Sequence, residues 1–109
     1  MALPNIHIDM PSNKDIFGFI EKKQKLTGTI EERNKILAEW LNTTPEYLQD
    51  VRDGKKEFTL QMAPKMARIQ EKVPLMYLAY IGYNIAEREK NEIDKDMWYT
   101  LLQRNTSGD

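Results

Sequence analysis

Helix-start signals recur along this chain at short intervals, and that punctuation limits what it can build. Ser12 is followed three residues on by Asp15, Thr29 by Glu32, and Thr44 directly by Pro45; Thr59 and Pro74 open two further segments. A hydroxyl cap with a carboxylate or proline in the first turn satisfies the N–H groups that every helix start leaves open. Between these signals apolar residues return at helical spacing: Ile16, Phe17, Phe19 and Ile20, then Ile30, Leu37, Trp40 and Leu41, then Tyr47, Leu48 and Val51. Strand-like alternation is almost absent. The pattern predicts an all-α chain, a bundle of five or six short helices.

The expected boundaries follow from the same residues. A first helix starts at Ser12, runs to about Leu26 and stops near Gly28; a second starts at Thr29. Asn42-Thr43 is a turn, and the third helix runs from Pro45 to the terminator Gly54. Thr59 caps a fourth helix with Leu60, Met62, Ala63, Met66, Ala67 and Ile69, kinked at Pro64; the methionines read as core filler. A fifth runs from Pro74 to about Glu89, and a last one starts at Asp94 or a neighbour and carries Met97, Trp98, Leu101 and Leu102. Residues 1–11 read as an extended arm, 12–73 as the first unit, 74–104 as a helical extension and 105–109 as a flexible tail.

Composition narrows function. The 109 residues suit one compact domain, and 16 Lys and Arg against 17 Asp and Glu leave a net charge of −1, which excludes coating nucleic acid by bulk charge. Absence of cysteine excludes disulfides and thiolate sites; with His7 the single histidine, neither a His-rich metal site nor a Ser-His-Asp triad is expected. The most apolar stretch, Val73 to Ile85, is interrupted by Pro74 and Gly82 and is shorter than a membrane span, and the N-terminus lacks the pattern of a signal peptide. A soluble cytoplasmic protein without membrane contact is expected. No Gly-rich phosphate loop or nucleophile–base pair points to an enzyme, and no cofactor is expected. Glu87, Glu89, Glu92, Asp94 and Asp96 lack the spacing of a calcium loop and read as a solvated face.

The run LAEWLNTTPEYLQDVRDGKKEFTL (37–60) resembles the phage-repressor (Cro/C1-type) helix-turn-helix family, without a gap to about Ala67. Leu37, Ala38 and Leu41 match its second helix, Thr44 the cap of its recognition helix, Leu48 and Val51 that helix's buried pair, and Asp53-Gly54-Lys55 the turn after it. Asn42 replaces the usual glycine of the turn and Phe58 a frequent proline. The C-terminal part is similar to the helical extension of small phage-related proteins. The resemblance implies a DNA-binding transcriptional regulator, phage or prophage repressor-like, that binds operator DNA as a homodimer.

It also implies a site. Arg33 and Asn34 open the second helix, where the family meets phosphate; the cap Thr44 and the outward row Pro45, Glu46, Gln49 and Asp50 of the third belong to the DNA-binding set; Lys55 and Lys56 follow as phosphate contacts. Gln49 is the best base reader, since glutamine pairs bidentately with adenine, and the carboxylates Glu46 and Asp50 can accept from cytosine N4. Those carboxylates replace the usual Gln, Arg, Ser or Lys and weaken the attraction to phosphate. The alternative is a non-enzymatic module, anti-repressor-like or a host-enzyme inhibitor, that binds a protein partner through an acidic third helix. Because apolar residues occupy nearly every side of the fifth helix, Leu75, Leu78, Tyr80, Ile81 and Tyr83, with Trp98 and Leu101, are expected to form a two-fold dimer interface.

Overall fold

The computed structural model describes residues 8–106, and every regular element among them is helical. Helix α1 (Asn13–Lys23) starts on a reciprocal cap, in which Ser12 Oγ accepts from the Asp15 N–H and the Asp15 carboxylate accepts from the Ser12 N–H. Helices α2 (Ile30–Leu41) and α3 (Pro45–Arg52) start on Thr29 and Thr44, whose hydroxyls accept from the N–H groups of Glu32 and Tyr47. A 3-10 turn (Leu60–Met62) leads into α4 (Ala63–Gln70), and α5 (Pro74–Arg88) and α6 (Glu92–Thr106) follow. The all-α bundle expected from the cap pattern is the architecture observed.

The structure moves several boundaries. Helix α1 stops at Lys23, short of Leu26, because Lys25 turns left-handed (φ 53°) and the Leu26 N–H folds back onto the Glu21 carbonyl. Pro64 makes no kink: α4 begins at Ala63, so the proline stands in the first turn, where its missing N–H leaves no helical bond unmade. Thr59 makes no side-chain cap and introduces the 3-10 turn instead. Helix α6 is capped by Asn91, whose side chain accepts from the Asp94 N–H and donates to the Asp94 carboxylate. It continues through Asn105 to Thr106, so the expected tail begins as helix; residues 1–7, with His7, and 107–109 lie outside the described residues. What is described of the arm lies against the C-terminal helices, the Ile8 N–H donating to the Tyr99 hydroxyl at 3.0 Å and Asn84 donating to the Pro11 carbonyl at 3.2 Å.

Helices α1 and α2 both pack on α3 and α4, and α5 lies between α4 and α6. The core joins Ile16, Phe17 and Ile20 of α1, Leu37, Ala38 and Leu41 of α2, Leu48 and Val51 of α3, Phe58, the α4 residues Ala63, Met66 and Ala67, and Tyr77 and Ile81 of α5. On α5 the bulky pair Tyr77 and Ile81 faces this core, while the buried small residues Ala79, Gly82 and Ala86 recur on the opposite side at helical spacing. That small face receives α6: the Trp98 ring sits so close to Gly82 that a Cβ there would overlap it.

The apolar surround of α5 is therefore covered on two sides within one chain. Ile81 is corrected from dimer interface to core, at 1% exposure, and Leu78 and Tyr80 pack against the same core. Leu75, Tyr83, Trp98 and Leu101 are half-buried. Larger apolar exposure lies elsewhere on the hairpin, at Ile93 (82%) and Met97 (45%) of α6. Burial pushes the Tyr77 hydroxyl up from 10 to about 12, with the neighbouring Tyr80 adding to the shift, and burial also raises Tyr80. No helix among the described residues is long and apolar enough to cross a membrane.

Candidate nucleic-acid interface

Helix α2 ends on Asn42, left-handed at φ 56° and ψ 50°, and the N–H groups of Asn42 and Thr43 both return to the Ala38 carbonyl. Asparagine tolerates this conformation better than most side chains. Thr44 then caps α3 at once, so Thr43 alone separates the left-handed residue from the next cap. The far end of α3 is held as firmly. Gly54 takes φ 78°, the Lys55 N–H returns to the Asp50 carbonyl at 2.8 Å, and Tyr47 donates to the Glu57 carbonyl at 2.7 Å. Arg88 of α5 reaches back to the Gly54 carbonyl and to the Glu57 carboxylate, which also accepts from Asn13 at 2.8 Å.

Between these fixtures α3 exposes Glu46 and leaves Pro45, Gln49 and Asp50 partly open, with exposed Asp53, Lys55 and Lys56 at its exit. Thr44 is exposed, with its hydroxyl engaged in the cap. Lys56 lies 3.5 Å from Asp50 and over the Tyr47 ring, so its charge is partly answered within the chain. Glu46, Gln49 and Asp50 thus share the open row of α3, with Lys56 against Asp50 and Lys55 exposed at the exit.

Asn34 is buried, which corrects its expected phosphate role, whereas Arg33 stays partly exposed beside Gln49 and Asp53. Asn34 is 3% exposed, because it stands three and seven residues before Leu37 and Leu41 on the inward stripe of α2. Its carbonyl oxygen accepts from Arg52 Nε at 2.7 Å and its amide donates to Gln49 Oε1 at 3.0 Å. Arg33 ion-pairs with Glu21, whose other carboxylate oxygen accepts from Arg52 Nη1 at 3.2 Å. The Arg52 guanidinium lies 3.9 Å from the centre of the Phe17 ring, and its Nη2 has no hydrogen-bond partner.

Glu21 and Arg52 are the residues that sequence reading missed. Glu21 follows Ile16, Phe17 and Ile20 on the buried stripe of α1, and a carboxylate there demands a cation. Arg52, next to buried Val51, is one of the two that supply it. No cluster of three or more carboxylate or histidine side chains able to share a metal ion occurs among the described residues. No protein-family model, no curated protein and no solved structure matches the chain.

Proposed function

We propose that the chain is a sequence-specific DNA-binding regulator of transcription, of the repressor-like helix-turn-helix kind, that inserts α3 into the major groove. One observation carries the proposal: α3 follows α2 across a left-handed turn, is fastened at both ends, and keeps Glu46 exposed with Gln49 and Asp50 partly exposed beside it. Phosphate contact falls to Lys55 and Lys56 at the exit of α3, since Arg33 is paired with Glu21 and Asn34 is buried. One such helix reads only a few base pairs, so the working form is a dimer that spans half-sites about 34 Å apart. The α6 face of Ile93 and Met97 is where a second copy meets the first.

Selection of bound sequences from random duplex DNA at low salt tests the assignment. A recurring motif is expected, and recovery of unenriched sequence by folded protein overturns it. Protein binding through α3 is the second reading, favoured by the carboxylates of Glu46, Asp50 and Asp53 along that helix and its exit. It requires the selection to come back empty.

A further inference from the structure

The polar bonds behind α3 run in one chemical direction. Arginine only donates hydrogen bonds, so the Asn34 atom facing Arg52 Nε at 2.7 Å is its carbonyl oxygen. That choice turns the Asn34 NH2 toward Gln49, where it donates to Oε1 at 3.0 Å. Gln49 is thereby fixed with its oxygen inward and its NH2 outward, and one of those N–H groups donates to Asp53 Oδ1 at 3.1 Å. A carboxylate only accepts, so both ends of the chain, Glu21 on Arg52 and Asp53 on Gln49, agree with this single orientation. Each amide is set by its neighbour, and nothing is left to flip.

We infer that Arg52 and Asn34 are positioning residues that turn the Gln49 oxygen inward and its NH2 outward, selecting guanine over adenine at the base pair it faces; the base assignment rests on α3 entering DNA as proposed. Bidentate pairing with adenine uses the glutamine oxygen to accept from N6 and the nitrogen to donate to N7. Here the oxygen is turned toward buried Asn34, and the NH2, bonded once to exposed Asp53, keeps a second N–H to donate. Guanine offers that N–H two acceptors, O6 and N7, and requires no acceptor in return. The adenine preference expected of a free glutamine is replaced by its opposite.

Asn34→Asp tests the relay without dismantling it. The new carboxylate still accepts from Arg52 but cannot donate to Gln49, and two carboxylates then face two guanidinium groups, since Arg33 also pairs with Glu21. Gln49 should rotate its NH2 inward and present its oxygen to DNA. Selections from random duplex DNA with the full-length protein, its Asn34→Asp variant and its Gln49→Ala variant locate the position read by Gln49 and the base chosen there. The wild type is expected to favour guanine over adenine by roughly tenfold at that position. Asn34→Asp should move the choice to a base that donates, adenine or cytosine, and Gln49→Ala should erase it.

A second measurement needs no DNA. In nitrogen-15 spectra of the free protein the Asn34 side-chain NH2 should exchange with solvent far more slowly than that of exposed Asn42. A motif with adenine at the Gln49 position, or the same base in wild type and Asn34→Asp, overturns the inference and leaves DNA binding intact. Exchange at Asn34 as fast as at Asn42 overturns the relay itself. If the wild type enriches no sequence while Asn34 is protected, the DNA assignment falls and takes the guanine preference with it.

Discussion

The two ends of this molecule hold themselves together by different means. Around α3 the fastening is polar and directional: Glu21, Arg33, Arg52, Asn34 and Gln49 link α1, α2 and α3 through ion pairs and hydrogen bonds. At the hairpin of α5 and α6 it is shape: Ala79, Gly82 and Ala86 make a shallow face, and the Trp98 ring settles against Gly82. Directional bonds fix the orientation of a side chain, whereas apolar packing mainly fixes distance. The end that presents hydrogen-bonding atoms to DNA in the proposed reading is the one built from directional bonds.

The sharpest way to break that contrast is Glu21→Ala, which strands Arg52 and Arg33 beside a buried pocket with no carboxylate between them. Removing one partner of a buried ion pair costs about 3–5 kcal/mol, so the urea midpoint should fall steeply. A loss below about 1 kcal/mol would mean that the polar cluster does not hold the α3 end.

Next comes pH, which probes Tyr77 in the apolar core. Its folded-state value of about 12 lies above the ordinary 10, so the folded protein keeps a proton that the unfolded chain releases. The stability this gives is complete below pH 10 and disappears as pH rises from 10 to 12, to the extent of about 2–3 kcal/mol. Thermal melts across that range should show the decline, and Tyr77→Phe should reduce it to what Tyr80, also raised by burial, contributes.

Gly82→Ala probes the hairpin. Alanine favours a helix over glycine by about 1 kcal/mol, yet its Cβ would collide with the Trp98 ring. Overpacking of this kind costs about 1–3 kcal/mol, and the clash should win. Tryptophan fluorescence in a Trp40→Phe background should report Trp98 moving into water, with stability lowered; a stabilised protein with unchanged emission would show that α6 adjusts freely.

The smallest effect expected is on DNA affinity. Lys55→Ala should lower the slope of log affinity against log salt by about one on every sequence. Lys56→Ala should lower it less, because Lys56 already lies beside Asp50. Equal losses from both variants would show that the Asp50 contact opens on binding.

Sequence carried the fold further than the site. Ser12 with Asp15, Thr29 with Glu32 and Thr44 with Pro45 act within one helical turn, so local chemistry sufficed to place three helix starts. The apolar excess on α5 was also visible, but its explanation needed α4 and α6 in place on either side. Asn34 shows the gap most plainly. Helical spacing with Leu37 and Leu41 turned it inward, while the family resemblance assigned it to phosphate. The partner that decides the matter, Arg52, lies 18 residues away on another helix. Interactions that close between distant segments leave little mark on local pattern.

The reach of Arg88 to Gly54 and Glu57 bears on where this chain could be cut or fused. Residues 12–73 contain α1 to α4, yet the core they enclose is completed by Tyr77 and Ile81, and the loop leaving α3 is fastened from α5. A gene fragment ending at Val73 would encode α3 without Tyr77 and Ile81, which complete the core. Transplanting this unit into another chain would therefore have to carry at least α5 along, so the unit that packs as one body extends past residue 73.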